Sequence, residues 1–297
     1  RIMGYLSNKK HKARVGTVLK VFLLLAAIIT LFGYGSGKVA VFFDSLRWQL
    51  YMFLLVVLFY TLLKKHYIYA SLFFLLGMIN FFTISSAVNV FAGKANENSS
   101  LELLFAPQVH DAPCLMKKIK NKKYAVVAST NPDMNEFELE KMIPAEYKFL
   151  HSSEGWENGF MLSSLPVKLS GRVNLGSDVY ADFVKIDSEG LPLSLIAVDF
   201  SKLDEKQISF ALNNLSAFVA QQDDPVVIFG DFNRVGWSKA MTAFIEKNGL
   251  KVKNALNDNI RNLFIPQHYY ILGYEHSGIK GYLFGEHLNS LPLFTRF

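Results

Sequence analysis

The sequence predicts a chain in two parts: three transmembrane helices at the N-terminus, then an α/β domain of many short strands and few helices. Three observations lead there. Hydrophobic residues make up 51% of the 297 positions and charged residues 19%, with a mean hydropathy of +0.21, too apolar for one ordinary soluble domain. Uncharged runs long enough to cross a bilayer lie within residues 1–94. From Leu101 onward the apolar residues come in short stretches between polar turns, which is the spacing of strands.

The charge divides the same way. Residues 1–94 hold 11 Lys/Arg against one acid, and the remainder holds 20 against 24. The basicity therefore belongs to the membrane-flanking segments. The folded part has no surplus of positive charge to displace counterions from a phosphate backbone, so nucleic acid is not an expected partner. The single cysteine, Cys114, excludes an intramolecular disulfide and any zinc site built on several thiolates.

The spans are expected at about 15–37, 45–63 and 67–93, with residues 1–94 as the membrane domain, 95–100 as a polar linker and 101–297 as the second domain. Val21–Gly37 carries no charge, and Lys20 can snorkel to the interface if the helix starts earlier. The run from Trp48 to Leu63 is short, but Asp44–Gln49 extends it into the headgroup region, where Trp48 and Tyr51 suit an aromatic belt. The third run holds Asn80 at its middle and ends in small and polar residues. An amide in hydrocarbon seeks a hydrogen bond, so the spans should pack on one another or on another membrane protein, in addition to the lipid bilayer. Lys9, Lys10, Lys12 and Arg14 precede the first span, and Lys64 and Lys65 fill the turn between the second and third. Lysine and arginine stay on the cytoplasmic side, so three spans place the C-terminal domain across the membrane: the periplasm or cell exterior for a protein of the bacterial inner membrane.

In the second domain, strands are expected at Leu101–Ala106, Tyr124–Ala128, Tyr147–Leu150, Gly159–Leu162, Val179–Ile186, Leu193–Asp199 and Val226–Phe229. A helix should open at Ser201–Asp204, an S-x-x-D capping pattern that makes Ser201 the cap, and Ile208, Leu212, Leu215 and Val219 then share one face. Another should run from Ser238 to Asn248-Gly249, where glycine supplies a left-handed stop. The lysines at 117, 118, 120, 122 and 123 read as a solvated helix end and turn, or as a contact for anionic headgroups or a partner.

One motif points to chemistry. Pro225–Asn233 reads PVVIFGDFN, a buried strand ending in Asp231 and Asn233, followed by Trp237-Ser238. A carboxylate at such a strand end can orient or deprotonate a nucleophile while the amide donates to a phosphate oxygen; both residues equally suit a tight turn. On the run GDFNRVGWSKAMTAF and the order of elements around it, residues 101–297 resemble the endonuclease/exonuclease/phosphatase (DNase-like) superfamily. The arrangement with three preceding spans is similar to its membrane-tethered bacterial members. That resemblance implies two β-sheets packed face to face and flanked by helices, and a divalent-metal-dependent hydrolase site.

The other site positions depart from the pattern. After the first strand the family has Asn, where this chain has Pro107-Gln108. The family's Gln-Glu pair, whose Glu binds the metal, falls on Ala128 and Ser129. A family His falls on Asp199, a candidate replacement ligand, and the family's Asp-His falls on Gln267-His268. The final Ser-Asp-His matches Leu288, Asn289 and Ser290, or with an insertion Gly285, Glu286 and His287. Asp231, Asn233 and His287 are thus the candidate catalytic residues. No metal ligand set or cofactor is expected, because the carboxylate that holds Mg²⁺ is replaced. The expectation is a membrane-anchored pseudoenzyme acting as an extracytoplasmic interaction or assembly module. The alternative is a membrane-tethered phosphodiesterase or phosphatase with a divergent Mg²⁺ site, in which Asp199, Glu286 and His287 take over lost roles.

Overall fold

The computed structural model describes residues 2–34, 38–88, 101–106, 108–109, 112–121, 124–132, 140–147, 149–151, 159–176, 178–188, 191–252, 269–274 and 279–283. The chain divides into two compact units, Arg1–Ser86 and Ala87–Phe297.

The first unit holds α1 (Ile2–Phe32), α2 (Lys38–Ser45), α3 (Arg47–Leu63) and α4 (Tyr67–Val88). Two stretches, Val15–Phe32 and Tyr67–Ser85, are long and apolar enough to cross a membrane, and α2 with α3 makes a third if the bent pair is one span. The expected second span differs in one respect. Its helix starts earlier, at Lys38, and breaks at Leu46 with a bend of 49°. The expected residues 35–37 of the first span and 89–93 of the third lie outside the described residues.

Leu19, Ala26, Leu50, Leu54, Val57 and Phe73 form the unit's apolar core, while Val56, Ile68 and Leu31 are among the side chains left for lipid. A polar cluster crosses this core near the break. Arg47, fully buried, donates from Nε to Asp44 Oδ1 (2.5 Å), from Nη1 to Asn80 Oδ1 (3.3 Å) and from Nη2 to the Thr30 carbonyl (3.3 Å). Its guanidinium also lies 4.3 Å from the centre of the Tyr34 ring. Asn80 Nδ2 in turn donates to Thr30 Oγ1 and to the Leu76 carbonyl, each at 2.9 Å. The Asn80 amide thus finds its hydrogen bonds inside its own unit.

The second unit is built on two packed sheets. The first contains β1 (Leu101–Phe105), β3 (Val126–Ser129), β5 (Phe149–His151), β6 (Phe160–Ser163) and β13 (Ile279–Leu283), in the order β13-β1-β3-β6-β5. The second contains β7 (Val167–Gly176), β8 (Val179–Ser188), β9 (Leu191–Asp199), β10 (Val226–Asp231), β11 (Leu250–Val252) and β12 (Tyr269–Tyr274), in the order β11-β12-β10-β9-β8-β7. A short pair joins β2 (Gln108–Val109) to β4 (Asn131–Pro132). Strand β7, ten residues long, is absent from the sequence expectation.

Side-chain alternation separates three apolar layers. Leu103, Phe105, Val126 and Ala128 meet Leu195, Ala197, Val227 and Phe229 between the sheets. Beyond the first sheet, Leu104, Val127, Phe160 and Leu162 pack on α5 (Ala112–Asn121) through Leu115, Met116 and Ile119. Beyond the second, Ile196, Val198 and Ile228 pack on α6 (Glu205–Val219) and α7 (Lys239–Lys247), through the expected Ile208, Leu212, Leu215 and Val219 and through Met241 and Phe244. The α6 cap corrects the sequence reading: the N-cap is Asp204, not Ser201. Its carboxylate accepts from the Gln207 amide (2.9 Å), and Gln207 Oε1 accepts from the Asp204 amide (2.9 Å), a complete capping box. Ser238 caps α7 as expected, through the Met241 amide. Lys118 and Lys120 sit in the last turn of α5; Lys122 and Lys123 lie outside the described residues.

Candidate functional site

The buried run Val226–Phe229 extends as a strand through Gly230 to Asp231. β10 lies between β12 and β9, so Asp231 ends a central strand, and Asn233 follows in the turn. β9 and β10 are parallel, with Asp199 registered against Asp231. Both continue the alternation of Leu195/Ala197 and Val227/Phe229, and so both belong to the inter-sheet side of their strands. Two carboxylates therefore end neighbouring strands about 5 Å apart at the backbone. Phe105 of β1 packs on Phe229 with ring centres 5.4 Å apart, which brings the C-terminal end of β1 to the same rim of the sandwich.

The side chains at this rim are engaged with backbone. Asp231 Oδ1 accepts from the Asn233 amide (2.7 Å), and Asp199 Oδ1 accepts from the Ser201 amide (2.9 Å), so the two strands end in matching Asx turns. Asn233 is in the left-handed region (φ 47°), which asparagine tolerates better than most residues. Its Nδ2 reaches the carbonyls of Ser201 and Leu203, each at 3.4 Å, long contacts that tie the turn after β10 to the turn after β9. The Phe200 amide closes the junction by donating to the Asp231 carbonyl (2.7 Å).

Arg234 was not singled out in the sequence, although it directly follows the motif. It is 7% exposed and donates from Nη1 to the Asn233 carbonyl (2.9 Å). Burial pulls its pKa below the ordinary arginine value, and the Glu205 carboxylate opposes that shift. Its charge is thus partly offset by that of Glu205.

Ser129, the residue on which the sequence resemblance sets the family's metal-binding Glu, ends β3. It is registered against Phe160 and shares the parity of Val127, both in the outer layer beneath α5, and its buried Oγ has no hydrogen-bond partner. The position thus carries a hydroxyl and belongs to the outer side of the sheet. Among the described residues no three His, Cys, Asp or Glu side chains come together as metal ligands do. The described residues therefore do not by themselves supply the ligand set of the divalent ion that the resemblance implies. Gln267, His268, Glu286, His287 and the run Leu288–Ser290 lie outside the described residues, as does Pro107.

No family model matches the chain, and no curated protein matches it. Among solved structures it is similar to an endonuclease/exonuclease/phosphatase from Bacteroides vulgatus (TM-score 0.49, 13% identity, 58% of this chain and 85% of that one). It is also similar to a β-hairpin deletion mutant of beta toxin from Staphylococcus aureus (0.48, 15%, 67% and 97%). A third is the mannosyl-6-phosphatase Bt3783 of Bacteroides thetaiotaomicron (0.47, 12%, 59% and 86%). At these identities and TM-scores nothing of those proteins' chemistry carries over to this chain.

Proposed function

We propose that this chain is a membrane-anchored, catalytically inactive protein of endonuclease/exonuclease/phosphatase type, whose α/β domain serves as an interaction or assembly module for another membrane protein. The observation that carries this reading is the use of the strand-end polar residues. Asp231 and Asp199 each close their own turn, Asn233 ties the two turns together, and the residue onto which the resemblance maps the principal metal carboxylate is a buried serine, Ser129. Phosphoryl transfer depends on charge neutralisation and positioning, and these residues supply neither a ligand set nor a proton donor for the leaving group. Calorimetric titration of the purified full-length chain with Mg²⁺ should give no saturable binding; stoichiometric binding lost in Asp231→Asn would count against the reading.

The second reading, a divergent phosphodiesterase or phosphatase, draws on the register of Asp199 and Asp231, which sets two carboxylates side by side. It would need further groups, for which Glu286 and His287 are the candidates.

The basic residues Lys9, Lys10, Lys12 and Arg14 of α1, ahead of its apolar stretch Val15–Phe32, and the lysines in the turn after α3 support a cytoplasmic N-terminus. With three passes, the C-terminal domain is then periplasmic or extracellular in a bacterial cell. A C-terminal alkaline phosphatase fusion should be active and a cytoplasm-dependent reporter silent; the reverse pattern would overturn this topology.

A further inference from the structure

The break between α2 and α3 has no glycine or proline to cause it: the residues are Ser45, Leu46 and Arg47. What stands there is the buried ion pair, with Asp44 on the last turn of α2 and Arg47 on the first turn of α3. From Arg47, α3 runs 17 residues to Leu63, about 25 Å, against a hydrocarbon core of about 30 Å. α3 alone therefore nearly crosses the core, and the cluster that joins Arg47 to Thr30 and Asn80 lies close to the boundary opposite the Lys64–Lys65 turn. That is the depth at which a charged cluster costs least. α2 has two unlike faces. Ala40 and Asp44 are buried in the unit, while Val39 and Phe42 are exposed (59% and 41%) and Lys38 opens the helix. An apolar face bordered by a lysine, next to a bilayer-crossing helix and bent away from it by 49°, suits the headgroup–acyl boundary.

We propose that α2 is an interfacial elbow: it lies in the lipid headgroup–acyl boundary with Val39 and Phe42 against lipid, pinned to the bundle by the Asp44–Arg47 pair and its bonds to Thr30 and Asn80. α3 is then the whole of the second pass. The inference is independent of the reading of the α/β domain, since it concerns the anchor alone.

Nitroxide labels on the full-length chain in phosphatidylcholine/phosphatidylglycerol nanodiscs test it. With Cys114→Ser as background, single substitutions Val39→Cys, Phe42→Cys, Val56→Cys and Lys64→Cys carry the label. Labels at 39 and 42 should both read at boundary depth, less open to a water-soluble nickel relaxer than the label at 64 and more open than the label at 56. Labels at 39 and 42 as open as at 64, or as shielded as at 56, would overturn the proposal. The paired change Asp44→Asn with Arg47→Gln removes both charges and leaves neither alone. In that background nickel access and label mobility at 39 and 42 should rise several-fold while 56 is unchanged; no change at 39 and 42 would overturn the pinning. Should that variant not fold, Arg47→Lys, which keeps the charge and loses the guanidinium fork, carries the same expectation and the same contrary result.

Discussion

Replacing Gly230 by alanine should cost the α/β domain more than about 3 kcal/mol, a large part of the roughly 5–15 kcal/mol that holds a domain folded. Gly230 has φ 149°, a region open to glycine and closed to other residues. A Cβ there would run into the carbonyl oxygen of Val198 and come within 2.8 Å of its carbon. That neighbour is backbone of β9, registered with Gly230 in the ladder, so it cannot move without opening the pairing that sets Asp199 beside Asp231. Gly249→Ala is the control. It also has a positive φ (60°) but meets nothing within 4 Å, so it should cost only the backbone preference, about 1 kcal/mol. Urea-dependent proteolysis of the full-length chain in detergent would read both. Equal midpoints for the two variants would contradict the assigned collision.

The second large effect is expected in the layer between the sheets. Phe105 and Phe229 are 1% and 3% exposed and pack ring to ring from opposite sheets. Phe105→Ala removes a filled aromatic volume that the two backbones cannot close over, at a cost of about 3–5 kcal/mol. Phe229 is two residues before Asp231, so the loss should also loosen the rim, and amide hydrogen exchange at Asn233 should quicken together with that of the β10 interior. A change below about 1 kcal/mol would mean that the sheets are not held by this pair.

The hydropathy of the first third revealed the membrane helices because the signal is intrinsic to each run. The bend at Leu46 was hidden, because no glycine or proline marks it and the bonds that Arg47 makes beside it go to Thr30 and Asn80 on other helices. In the second domain the sharpest expectation, the strand at Val226–Phe229, was legible because it is buried on both faces and reads as a continuous apolar run. β7 was not: Lys168, Leu169 and Ser170 are all exposed and a register shift between Val167 and Leu169 breaks its alternation. Sequence alone put the α6 cap at the start of its pattern, whereas the reciprocal bond with Gln207 selects Asp204. At the site, Asp231 and Asn233 were legible from their motif. Their pairing with Asp199 was not, because the register between strands some thirty residues apart is a tertiary outcome.

If Asp231, Asn233 and Asp199 hold two turns together and do no chemistry, the full-length protein should show no Mg²⁺- or Mn²⁺-dependent hydrolysis. The substrates to test are nucleic acids, phosphoinositides, sphingomyelin and simple phosphate esters, each against a protein-free blank. Asp231→Asn should then change only stability, by about 1 kcal/mol through the weakened turn hydrogen bond to the Asn233 amide. Metal-dependent turnover by the wild-type chain, abolished in Asp231→Asn while the domain stays folded, would contradict the account and make Asp199, Glu286 and His287 the next residues to change.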